Sequence, residues 1–424
     1  MSTVVETPEQ KLSDRVRIIG AATGVLILLG WGLYFYPFDN LLDASGTPWG
    51  GDYPTFYIAG RMVLESDLTP LYDVAEQQRR LQQLIPGIDP RYCIPYRYPP
   101  ALGLAMAPLA AVPYVWSSSL FALLSLALIG YAIAILVRAT GLAAGRWKAT
   151  AWWGAATAPI VLEPIIGGQL SPIAVAIAAT VAVLLHGGRQ AAAGAVLALA
   201  LYKPNVLALF GLICVLRFPR MLWGAIPVGA LWCAANVWLV GVDGMLDYLR
   251  LGRELALNDW TIQAPAHKLH GIAAWLSLVA PGHERALTLA IGATAACWVA
   301  YRWRRYGDDT TIQWFALSLA LTVNALGNPY VPIYDLALLM PAALMMAAGI
   351  IAKFGDELHG TLTQSQLLLG SLYFGPHLSQ AVAKLYGVQI FPLVLCVIAV
   401  WQVRVFMRLH SEPGTFVPGV RTAN

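Results

Sequence analysis

Charge is scarce in this chain. Only 12% of its 424 residues are Asp, Glu, Lys or Arg while 58% are hydrophobic, more apolar surface than a single water-soluble core can bury. Cysteine is scarce as well. Of Cys93, Cys214, Cys233, Cys297 and Cys396, four lie in apolar runs without paired spacing, which excludes a disulfide framework and a cysteine metal site. Long blocks of like charge are missing: the 27 Lys and Arg residues against 23 Asp and Glu collect in short clusters between apolar runs. That is the pattern of cytoplasmic loops, so no nucleic-acid partner is expected. A P-loop, a nucleotide-sugar signature and a DxD pair in a soluble loop are all absent, which argues against a cytoplasmic nucleotide-sugar enzyme. No internal repeat of fixed period occurs either, so solenoids and simple duplicated transporters lose ground.

What the chain does have is a succession of apolar segments, and it reads as an all-α polytopic membrane protein. The length accommodates about twelve spans of ~20 residues. They are placed near 18 to 38, 114 to 137, 149 to 163, 170 to 186, 190 to 202, 205 to 216, 219 to 240, 285 to 302, 309 to 326, 332 to 352, 361 to 380 and 386 to 406. The start is acidic as well as basic and lacks a small-residue cleavage site, so the first span is read as retained. Lys11, Arg15 and Arg17 place the N-terminal tail, residues 1–17, in the cytoplasm. The same topology puts Arg138, Arg146, Lys148, Arg189, Arg217, Arg220, Arg302, Arg304, Arg305, Lys353, Arg404 and Arg408 inside, together with a C-terminal tail over 407–424. Two of its spans are awkward. The short pair around Lys203 also reads as re-entrant, and the 361 to 380 segment is expected to break at Pro376 and His377.

Residues 18–406 form one transmembrane domain with two long outer loops, 39–113 and 241–284. In the first, "PTFYIAGRMVLE" and "VAEQQRRLQQLI" have helical spacing and are expected as amphipathic helices on the outer membrane surface. In the second, "LNDWTIQAPAHKLHGIAAWLSLVAP" is expected to supply another surface helix.

Few polar residues fall at the outer ends of spans, where an unpaired ionisable group costs at least ~2.5 kcal/mol in hydrocarbon. They are Asp52, Arg97, Glu163, Gln169, Lys203, Asn205, His267, Lys268, His270, Asn328, Tyr334 and Asp335. Each has a plain structural reading: Asp52 and Asp335 as helix caps, Lys203 as a snorkelling lysine, Glu163 and Gln169 as helix-end groups. His267 and His270, spaced i and i+3, lack a third metal ligand and read as a solvated loop, so no metal is expected. Their convergence on one side of the membrane points to a polar cavity open to the outside.

The segments "DYPTFYIAGRMVLESDLTPLYD", "YRYPPALGLAMAPLAAVP", "GGQLSPI", "YKPNVLAL" and "NPYVPIYDLALLMP" together resemble glycosyltransferase family 87, whose members are similar to polyprenyl-phosphate-mannose-dependent mannosyltransferases. The resemblance spans roughly residues 18 to 350. It implies a C-type (GT-C) glycosyltransferase fold, an acid of the first outer loop as base, and a lipid-phosphate sugar as donor. The acceptor is then a lipid or glycan, and the site faces the outside of a bacterial inner membrane. The lipid-linked sugar is a substrate, and no cofactor is implied. Asp52 matches the first-loop acid and has the chemistry of a general base for an acceptor hydroxyl. Lys203 and Arg97 are the cations for the leaving phosphate, with Gln169, Asn205 and Tyr57 as further substrate contacts and Asp335, Tyr334, Asn328 and His267 as second candidates. Tyr330 and Tyr334 stand where some family members carry histidine-rich sequence, so mannose is only the default sugar. A monomer is expected. The rival classes are a lipid or glycolipid transporter, which also needs polar groups within helices, and an inactive scaffold.

Overall fold

The structure is a computed structural model that describes residues 14–15, 17–26, 29, 41–43, 46–90, 92, 94–144, 147–257, 269–306, 310–354 and 361–411. Among them it is all-helical, with isolated bridges in place of strands. In chain order the helices are α1 (Arg17–Leu26), then α2 (Tyr53–Leu64), α3 (Val74–Leu84), α4 (Pro100–Ala110), α5 (Tyr114–Ala139), α6 (Lys148–Ala156), α7 (Pro159–Ile166), α8 (Ser171–His186), α9 (Gln190–Ala198), α10 (Ala208–Arg217), α11 (Leu222–Leu257), α12 (Ala273–Val279), α13 (Glu284–Tyr306), α14 (Thr310–Gly327), α15 (Leu339–Phe354), α16 (Thr361–Tyr386) and α17 (Phe391–Ser411).

Among the described residues, three segments are long and apolar enough to cross a membrane: Tyr114–Ala139, Pro219–Leu255 and Ile333–Ala352. Shorter apolar helices, Ser171–His186 and Phe391–Met407 among them, accompany these. The outward face of α11 shows why the surroundings must be hydrocarbon. It exposes Trp223, Ile226, Leu231 and Trp238, a surface that water would not tolerate.

Several expected boundaries shift, each for a backbone reason. The span expected over 149–163 is two helices parted at Thr157 and Ala158, because Pro159 opens the second and biases the residue before it away from helical geometry. The apolar run from 190 to 216 breaks at Lys203, which has φ −146° and ψ 77° ahead of Pro204 and is flanked by two short 3-10 turns. By contrast α16 runs unbroken through Pro376 and His377, where an interruption was expected. The helix expected to end at 240 does break there: Gly241, at φ 68° and ψ −176°, is not helical, and a second helical segment runs on from it to Leu257. The second outer loop therefore begins as helix. Its expected surface helix is confined, among the described residues, to α12, and residues 258–268, with His267 and Lys268, lie outside them.

The first outer loop also differs from expectation. α3 is amphipathic, capped by Asp73 and with Gln77 and Leu81 buried. α2 does not lie on the membrane surface: Tyr53 through Gly60 and Met62 are buried. It is an interior helix because α4 covers it, and the two backbones approach closely where Gly60 meets Met106 and Ala110. Tyr53 adds a 2.5 Å hydrogen-bond contact to Ser117 of α5, and its ring stacks on Phe121. What looked like a membrane-facing stripe of aromatics is a protein-facing one.

Candidate active site

Two glycine pairs build the floor of the site. "GGD" ends in Asp52 and "GGQ" ends in Gln169, and the two turns pack backbone against backbone. A Cβ on Gly168, at φ +60°, would lie 1.9 Å from the Gly50 carbonyl oxygen, and one on Gly51 would lie 2.5 Å from that of Gly167. Only glycine fits so close an approach. The Asp52 amide donates to the Gly167 carbonyl at 3.0 Å, and the Gln169 side-chain amide donates to Asp52 Oδ2 at 2.5 Å. Asp52 occupies the N-cap position of α2 yet makes no side-chain cap hydrogen bond. Its carboxylate is turned to Gln169, so the helix-cap reading fails.

Beside it lies a buried ion pair. Lys203 Nζ donates to both oxygens of Asp335, at 2.8 and 2.6 Å, with the side chains only 10% and 3% exposed. Ser171 Oγ donates to Asp335 Oδ1 at 2.6 Å, and the Lys203 ammonium sits 5.2 Å from the Tyr334 ring centroid. The break before Pro204 turns the lysine inward, so it does not snorkel. Asp335 likewise serves a lysine and a serine and does not cap a helix.

Arg97 completes the cationic side. It donates to the Tyr330 hydroxyl at 3.3 Å and lies over that ring at 5.3 Å, and among the described residues it pairs with no carboxylate. Its segment is pinned from below by α3: Gln77 donates to the Leu71 carbonyl and accepts from the Tyr96 amide, each at 2.6 Å. Tyr72 holds the Tyr98 carbonyl at 2.8 Å. Burial pushes the Tyr98 phenol up, and the same ring feels the charges of Lys203, Arg97, Asp52 and Asp335. Four charged groups distant in sequence thus converge around one tyrosine.

The remaining candidates divide. Asn328 donates to the Asn205 carbonyl at 2.9 Å and accepts from the Tyr330 amide at 3.0 Å, so both asparagines shape the loop behind Lys203 and Arg97. Tyr57 is not brought to Asp52; its hydroxyl donates to the Val112 carbonyl at 3.1 Å, and its ring packs on Tyr114. His270 is buried, its backbone amide on the Val331 carbonyl at 2.9 Å. Reading by residue type missed Ser171, Tyr98 and Tyr202, whose hydroxyl donates to the Leu170 carbonyl at 3.0 Å. The recurrence of Gly-Gly-polar at 50–52 and 167–169 was the available signal that the two turns belong together.

A helical membrane protein that gathers one partly buried acid, a partly buried arginine and a buried lysine–carboxylate pair at helix breaks and loops has the groups of a membrane enzyme. Residues 96–329 match the model of glycosyltransferase family 87, and the chain belongs to that family. No curated protein and no solved structure gives a match.

Proposed function

We propose that this membrane glycosyltransferase moves a sugar, mannose by default, from a polyprenyl-phosphate donor to a hydroxyl of a lipid or glycan acceptor, with inversion, on the outer face of a bacterial inner membrane. About twelve spans would carry the site. Asp52 takes the acceptor proton as the glycosidic bond breaks, and Arg97 meets the negative charge growing on the leaving phosphate. Lys203 contributes its charge when the phosphate competes for it with Asp335. The observation that carries this reading is the Asp52 carboxylate, held by Gln169 in place of a helix cap and set among Lys203, Arg97 and Tyr98.

The test uses the full chain in lipid nanodiscs with radiolabelled polyprenyl-phosphate mannose and an extract of envelope lipids. A labelled lipid product is expected, with Asp52→Asn reducing turnover on the order of a hundredfold or more while donor binding persists. Transfer unchanged in Asp52→Asn would remove Asp52 as the base, and Asp335 would be tested next.

A further inference from the structure

Glu163 and His377 form a second polar pair that the reaction described above does not use. Glu163 Oε2 and His377 Nε2 are 3.5 Å apart, with side chains 38% and 36% exposed. That separation exceeds the ~2.7–3.2 Å of a good N–H···O bond, so neither group has its hydrogen-bonding capacity satisfied by the other. His377 Nδ1 is buried and meets no hydrogen-bond partner among the described residues. Nε2 is therefore the ring nitrogen turned towards the Glu163 carboxylate and the half-exposed opening beside it. The pair presents carboxylate oxygens beside an imidazole nitrogen.

Its place in the fold ties it to Asp52. The Gly167 amide donates to the Glu163 carbonyl at 2.8 Å, and the Gly167 carbonyl accepts the Asp52 amide at 3.0 Å. Glu163 thus sits one helical turn along α7 from the turn that holds the base. On the other side, the carbonyl of Pro376, next to His377, contacts His270 Nε2 at 3.3 Å. The His270 amide bonds Val331, neighbour of the Tyr330 that holds Arg97. Backbone hydrogen bonds thus tie the pair to the turn under Asp52 on one side and to the segment of Tyr330 on the other. A half-exposed carboxylate repels an anionic phosphate donor, whereas a carboxylate next to an imidazole nitrogen suits hydroxyl groups, which both donate and accept.

We propose that Glu163 and His377 bind the headgroup of the acceptor, a hydroxyl-rich sugar or polyol without negative charge, and so determine acceptor specificity. This inference rests on the glycosyltransferase reading above.

The experiment uses the full-length protein in nanodiscs with polyprenyl-phosphate mannose and a panel of octyl hexosides as acceptor probes, each compared with its amino-deoxy analogue. For any hexoside that the wild type glycosylates, Glu163→Gln should raise the acceptor KM roughly tenfold or more, the loss of a hydrogen bond to a charged group, while the donor KM stays within about twofold. The wild type should prefer the cationic amino analogue, and Glu163→Gln should lose that preference. His377→Gln should raise the acceptor KM in the same one-sided way. Unchanged acceptor KM and unchanged amino preference in Glu163→Gln would overturn the inference, as would a parallel rise of donor and acceptor KM, the mark of a pair that merely fastens α16 to α7. A wild type that glycosylates no probe and no envelope lipid would instead fail at the transferase reading, and this inference would fall with it.

Discussion

Asp52 is an instructive residue because its local sequence favours a helix cap and its tertiary setting does not use it as one. A Pro two residues on, in the first turn of α2, already defines the helix start, which leaves the carboxylate to Gln169. Gly168 is the residue on which that arrangement hangs. Gly168→Ala should be among the most damaging single-atom-scale changes in the protein: a left-handed backbone costs a non-glycine residue roughly 1–2 kcal/mol, and the new Cβ would strike the Gly50 carbonyl at 1.9 Å. A lowered Tm together with lost transfer is expected, whereas Gly130→Ala, where nothing lies within 4 Å of the added carbon, should change neither appreciably. Lys203 and Asp335 make a second residue-scale prediction. Leaving one charge of a buried pair without the other costs about 3–5 kcal/mol, so Lys203→Met and Asp335→Asn should each lower Tm. Lys203→Met combined with Asp335→Leu should recover much of that Tm without recovering activity, because stability needs the pair to be matched and catalysis needs the cation.

At the scale of elements, α3 matters for what it holds. Arg80 bonds Glu65, Asp67 and Glu76 at 2.6–2.8 Å, joining α2 to α3, while Gln77 on the buried side fixes the segment bearing Arg97. Hydrogen bonds from Arg79 and Arg80 hold the Glu76 carboxyl down at about 2, and the same guanidinium of Arg80, with Arg61, lowers Glu65. A carboxylate whose folded-state pKa lies below its unfolded value of about 4.3 stabilises the fold fully above that value and loses the contribution as pH falls through the folded value. Acidification from pH 5 towards pH 2 should therefore loosen the outer loop first. Hydrogen exchange of α3 and the 94–99 segment should rise in that window, and Arg80→Ala should flatten the effect while lowering stability by about 1 kcal/mol. Unchanged protection in this segment down to pH 2 would mean that the loop does not depend on the network.

The whole molecule raises a question of orientation. The basic clusters predict that Arg220 and the N-terminus face the cytoplasm while Asp52 and Arg97 face outside. Single cysteines introduced near position 46 and near position 220 in a cysteine-free background should be labelled by a membrane-impermeant maleimide from opposite sides; labelling of both from one side would defeat that topology. Membership of the hydrocarbon phase, the helical class and the breaks at Lys203 and after residue 240 were legible in the chain, because apolar run length, Pro and Gly act locally and are read in one dimension, whereas Pro159 parted a segment that reads as one span and Pro376 left α16 whole. The same is true of Asp52, Arg97, Lys203 and Asp335 as candidates, since ionisable groups near span ends are rare enough to count. Which of them pair was not legible. That Lys203 turns inward to Asp335, that Tyr57 faces Val112, and that α2 is an interior helix all depend on which element covers which. The Gly-Gly pairs could be seen in the sequence, but their contact could not, since residues 51 and 167 meet only when α2 and α7 are brought end to end. Burial and partnership are properties of surfaces in contact, and only the folded chain brings those surfaces together.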